Sequence, residues 1–183
     1  MKKILSAILL LMASVALHAQ NDVIKFLGIP VDGSKASMIQ KLKGKGFVYN
    51  SVQDCLEGEF NGTPVYVFVV TNNNKVWRIL LLDKTSCDEA QIKIRFNRLC
   101  NQFENNAKYV SLSKSDNTLP ESEDISYEMT VHKKQYEAGY CQMPDDSNLT
   151  KRLVWFKINE HYSEYRMAMF YDNEFNHSNG EDL

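Results

Sequence analysis

The chain has 183 residues, of which 44% are hydrophobic and 24% charged, with a formal net charge of −2. That composition excludes a disordered, collagenous or fibrous protein, and residues 1–19 read as a signal peptide, which leaves enough chain for one domain. Without Lys2 and Lys3 the balance is 19 basic against 23 acidic side chains, so nucleic acid is excluded as an expected partner, because phosphate backbones are held by basic surfaces.

Lys2 and Lys3 precede the apolar run Ile4 to Leu17, which is too short to span a bilayer. Ala19 before Gln20 suits signal peptidase, and the leader resembles those of exported proteins of Gram-negative bacteria. The first cysteine is Cys55, so no lipid anchor has an attachment point near the cut. The expected destination is periplasmic or secreted, with no membrane anchor.

From Gln20 the pattern predicts a single α+β domain over 20–172, an antiparallel sheet with two helices packed on it. Ser34 caps a first helix whose apolar stripe is Met38, Ile39 and Leu42, with Gly44 placed to end it in a left-handed conformation. Phe47 to Tyr49 reads as a strand. Leu56 to Phe60, Val65 to Val70 and Val76 to Leu82 read as a three-strand meander, its first turn signalled by Asn61-Gly62. Val65 to Val70 is apolar on both faces, which predicts a central strand covered on both sides. Ser86 and Glu89 form a capping box for a helix from about Cys87 to Glu104, with Ile92, Phe96, Leu99 and Phe103 on one stripe. Residues 110–124 are polar and read as a linker or long surface loop. Ile125 to Val131 with Tyr136 to Gln142, and Leu153 to Ile158 with Tyr165 to Tyr171, read as two hairpins. Residues 173–183 read as a polar, fraying tail.

The last hairpin echoes the first meander at an offset of 88, pairing Phe68 with Phe156, Val70 with Ile158, Trp77 with Tyr165, Arg78 with Arg166 and Ile79 with Met167. The domain could thus comprise two related halves, 20–109 and 126–172, although hairpins share alternation by necessity and coincidence fits as well. The stretch Phe26 to Phe47, with Gly28-Ile29-Pro30, the capped helix and Gly46-Phe47, is followed by a β-meander. It resembles small exported bacterial α+β domains of the β-lactamase-inhibitor-like type. That resemblance lies in the order of elements, carries no inhibitory motif, and implies a binding module rather than an enzyme.

Four cysteines, Cys55, Cys87, Cys100 and Cys141, allow three pairings into two disulfides. Cys87 and Cys100 at opposite ends of one helix would lie about 20 Å apart, too far to bond. Four free thiols remain the alternative; if disulfides form, tracing strand directions favours Cys55 with Cys100, leaving Cys87 with Cys141. Cys87 at a helix start, with His132 or His161 as base, is the best catalytic candidate, but Asp88 and Glu89 beside it oppose a thiolate. His132, His161 and His177 lack metal-ligand spacing, and Asp145, Asp146, Glu121, Glu123 and Asp124 fall in polar turns, so neither a metal nor a cofactor is expected. Lys35, Lys41, Lys43 and Lys45 read as a solvated helix face. Asn61-Gly62-Thr63 and Asn148-Leu149-Thr150 read as turns rather than glycosylation sites. Trp77, Trp155, Tyr165 and Tyr171 read as core residues, with an aromatic platform for a glycan or a partner chain as the rival. The expectation is therefore a noncatalytic exported binding or envelope-interaction protein with an unknown protein or glycan partner. A hydrolase with scattered catalytic groups and a homo-oligomeric structural component are the alternatives.

Overall fold

Alternating β-branched and aromatic residues between tight turns build most of this molecule. The computed structural model describes residues 22–177; the leader lies outside them, as does the tail beyond His177. A two-strand ribbon, β1 (Lys25–Phe26) and β2 (Ile29–Pro30), is followed by helix α1 (Lys35–Lys43) and strands β3 (Val48–Asn50), β4 (Cys55–Phe60), β5 (Thr63–Asn72) and β6 (Lys75–Asp83). Then come α2 (Glu89–Glu104), β7 (Tyr109–Ser111), α3 (Ile125–Val131), β8 (Glu137–Gln142), β9 (Arg152–His161) and β10 (Glu164–Asn173). The eight strands from β3 onward form one antiparallel sheet in the order β3-β4-β5-β6-β10-β9-β8-β7. The fold is α+β, with three helices rather than two among the described residues.

That strand order reads the same from either edge. Each half is a helix followed by four antiparallel strands, with α3 inserted between β7 and β8 in the second, and the halves meet along β6 and β10, where Leu81 faces Met169. The two long hairpins turn through Asn73-Asn74 and Tyr162-Ser163, all four with positive φ, which matches the twist of the flanking strands. Between β5 and β9 the equivalence is one residue longer than the offset seen in the sequence: Val65, Val67 and Val69 match Val154, Phe156 and Ile158 in burial. Phe68 and Phe156 therefore lie on opposite faces. Past Trp77, an extra residue in β6 restores the shorter offset, and Arg78 with Arg166 and Ile79 with Met167 occupy matching positions in their hairpins.

One face of the sheet carries the core. Val67, Ile79, Phe156 and Met167 pack there with Met38 and Leu42 of α1 and with Ile92, Phe96, Leu99 and Phe103 of α2, all essentially buried. Phe96 meets Phe156 edge-on at 5.3 Å, and Phe103 stacks on Tyr140 at 4.8 Å. Ser34 caps α1 through the Ser37 N–H, but Gly44 is right-handed, and the positive φ falls on Gly46. The cap of α2 is Asp88, which accepts from the Gln91 N–H at 2.8 Å; Ser86 instead donates to Glu164.

Two expectations fail here for identifiable reasons. Ile125, Tyr127, Met129 and Val131 alternate as a strand would, yet they form α3, because Asp124 caps the Tyr127 N–H and Glu89 of α2 accepts from the Ile125 N–H at 2.8 Å. Tyr127 and Val131 are simply exposed. The polar segment after β7 is a long loop, the second of the two readings given for it. Asn97 of α2 bonds Leu119 in both directions, and Lys93 donates to the carbonyls of Glu121 and Glu123, so the segment is strapped along the helix. The start of the supposed tail is also fixed: Asn173 is buried with its amide on the Val31 carbonyl, and Asn176 bonds Asp32 and the Val76 carbonyl.

Candidate functional site

Strand alternation sends every second side chain to the face opposite α1 and α2, and through the middle of the sheet a row of them is apolar. Register places Phe68 opposite Leu80, Leu80 opposite Phe170, Phe170 opposite Trp155 and Trp155 opposite Gly139, a row that crosses five strands. Beside it runs Tyr66, Leu82, Ala168, Lys157 and Glu137. On β10 this face is buried by its neighbours, but Tyr66, Phe68, Leu80, Leu82 and Trp155 are half-buried. The expected second covering layer over β5 is therefore absent among the described residues. Leu112, 56% exposed, lies on the outer end of the row. Gly139 makes room for it, since a Cβ there would come within 2.9 Å of the leucine Cδ1.

An electrostatic cluster sits next to the row. Val70 pairs with Arg78 but Thr71 pairs with Val76, so Trp77 is a β-bulge, and both Trp77 and Arg78 are turned to the open face. Arg78 Nε and Nη2 each donate to Asp172 at 2.7 Å, and Trp155 Nε1 donates to the same carboxylate at 2.9 Å. Asp172 is 3% exposed in its side chain and Arg78 23%. The guanidinium lies over Trp77 at 4.2 Å and Phe170 at 4.8 Å, while Trp155 stacks on Phe170 at 3.9 Å. His177 closes the far side of Trp77 at 4.5 Å. The aromatic residues thus divide: Tyr165 and Tyr171 are core, as expected, whereas Trp77 and Trp155 belong to the open face. The bulge that aims Trp77 carries no signal in the sequence pattern.

The cysteines do not pair. All four thiols are free, and the geometry explains why. Cys55 precedes Leu56, a core residue, and so points to the face opposite α2 and its Cys100. Cys87 bridges Tyr165 near the tip of the β9–β10 hairpin, while Cys141 pairs with Leu153 toward the other end of β9. Cys87 Sγ contacts the Tyr165 carbonyl at 3.6 Å; His132 pairs with Glu128 and His161 packs on Tyr162, so neither serves Cys87 as a base. Burial, with Asp83 and Asp88 adding to it, pushes the Cys87 thiol up, the opposite of activation. Asp146 is engaged by Arg152 at 2.9 Å, and Lys35 by Asp54 at 2.5 Å.

Burial raises all four thiols, Cys100 to about 12. A thiol raised in the native state keeps its proton while the unfolded chain loses one, so this stability is whole below the unfolded value near 9.0 and declines as pH climbs toward 12. The urea midpoint should fall over that window, and Cys100→Ala should flatten the fall. Native alkylation should begin at half-buried Cys87, with four thiols reacting after denaturation. A flat profile would contradict the assignment.

Among the described residues no cluster of His, Cys, Asp or Glu is disposed to hold a metal, and no helix is long and apolar enough to cross a membrane. The chain matches no family model, and no curated protein or solved structure is significantly similar to it.

Proposed function

We propose that this protein is a noncatalytic exported binding module that seats a partner protein on the open face of its sheet. The observation that carries the reading is the row Phe68, Leu80, Phe170 and Trp155, apolar across a face that no helix covers among the described residues. The row is rimmed by Glu57, Lys84, Arg166, Lys157 and Glu137, both signs of charge around an apolar centre with Trp, Tyr and Arg in it, as protein interfaces are built. A glycan is favoured less. Sugar hydroxyls need free carboxylates or amides, and the Asp172 oxygens are already committed to Arg78 and Trp155.

Affinity capture from periplasmic and medium fractions, run with the native chain and with Phe68→Glu and Leu80→Lys, tests it. The native protein should retain a discrete partner that both variants release while remaining folded. Retention unaffected by the two substitutions, or no retained partner, overturns the proposal. Light scattering on the same samples tests the homo-oligomer reading: a native dimer dispersed by Phe68→Glu would give the face to a second copy.

A further inference from the structure

On the helix side, where the two halves meet at their margin, the β1–β2 ribbon, the β4–β5 turn and the C-terminal half of α2 enclose a groove of about 870 Å³. Its volume falls within the range of small-ligand sites, roughly 300 to 1,000 Å³. Independently of the open-face reading, we propose that this groove binds a small amphipathic anion, an aromatic or acyl group carrying a carboxylate or sulfonate.

The apolar half of the argument rests on what is left uncovered. Leu27 and Met143 are 39% and 38% exposed, and Phe60, Leu99 and Phe103 complete the apolar lining. Leu27 is also an unusual choice. It occupies the first position of the two-residue turn between Phe26 and Ile29, with φ of 51°, followed by Gly28 at 79°. Such turns favour Asn or Asp there, because in the left-handed conformation the Cβ of a leucine crowds the following carbonyl oxygen. A large apolar side chain is thus held at the groove mouth against the local backbone preference.

The polar half is one-signed. The lining holds Lys25, Lys108, Asn61, Gln102, Asn106 and Gln142, and no carboxylate. The backbones of the two lysines meet one stretch of chain at the same end of the groove: Gln142 accepts from the Lys25 backbone N–H at 2.7 Å, and the next residue, Met143, donates to the Lys108 carbonyl at 2.8 Å. Lys25 has a half-exposed partner in Asp22 at 3.1 Å, outside the groove lining, and Lys108 has no ion pair among the described residues. Asn61 and Gln102 bond each other, and Gln142 is spent on the ribbon and Tyr109, so the ammonium groups are the charges left to meet a ligand. The anion would sit at the lysine end with its apolar body against Leu27 and Phe60.

Fluorescence titration with 1-anilinonaphthalene-8-sulfonate and with the uncharged N-phenyl-1-naphthylamine tests the assignment, alongside thermal melts. The sulfonate should bind one per chain and weaken about tenfold in Lys108→Glu, while the neutral dye changes little. Leu27→Asn should weaken both dyes yet raise the melting temperature, because it relieves the turn; a general loss of fold would lower both together. The proposal is overturned if the sulfonate fails to bind at millimolar concentration. It is equally overturned if Lys108→Glu leaves sulfonate affinity unchanged or reduces both dyes alike, or if the sulfonate is lost in Phe68→Glu instead.

Discussion

Asp172→Ala should lower the unfolding free energy by about 3 kcal/mol, the lower end of what removing one member of a buried ion pair costs. The carboxylate is nearly inaccessible and receives three donors, two from Arg78 and one from the Trp155 indole, all of which lose their acceptor together. Arg78 retains some contact with water, which keeps the cost from the upper end of the range. Urea unfolding gives the free energy, and Trp155 emission should shift to the red as its N–H turns to solvent. Arg78→Met combined with Asp172→Leu should recover most of the loss, since an apolar pair of similar volume leaves no charge stranded. A single Asp172→Ala variant as stable as the native protein would mean that the cluster contributes nothing to the fold.

Phe156→Ala should cost about 3 to 5 kcal/mol, the range for truncating a fully buried aromatic ring. The ring is inaccessible and lies between Phe96, Phe103 and Tyr140, so its loss opens a cavity beneath α2. Phe68, which the sequence echo would make its counterpart, lies half-buried on the other face, and Phe68→Ala should cost about 1 kcal/mol. Chemical denaturation of the two variants side by side checks the face assignment. Equal losses would show that the face of β5 carrying Phe68 is covered after all.

Most of the sheet was legible because its signals are local. Asn61-Gly62 sits in the turn it announces, and the stripe from Ile92 to Phe103 is the buried side of α2. What escaped depends on faces and on neighbours distant in sequence. Strand direction brought Cys55 and Cys100 to one level, but the parity that buries Leu56 in the core sends Cys55 to the far side of the sheet. Apolar residues on both faces of β5 look alike whether a helix, a partner or water lies beyond, so the open face was read as a second core. In α3, perfect alternation over seven residues was outweighed by a capping aspartate and a glutamate reaching over from α2. The Trp77 bulge depends on how β5 and β6 align, which no window along one strand contains.

The seam between the halves bears on how the chain fails. Strands β6 and β10 pair across residues far apart in sequence, from Leu82 with Ala168 to Arg78 with Asp172, where the Arg78–Asp172 side-chain pair adds to the backbone bonds. A molecule in which the second half has not yet docked leaves β6 as a bare edge, on which the run Ile79, Leu80, Leu81 and Leu82 holds no lysine, proline or bulge, the Trp77 bulge and Lys75 lying before it. A second copy of the chain carries the same β10, so the edge presented by one molecule fits the β10 of another in the register it uses with its own. Strand exchange between chains is thus built into the architecture, and refolding at high protein concentration should yield intertwined dimers whose halves are each native.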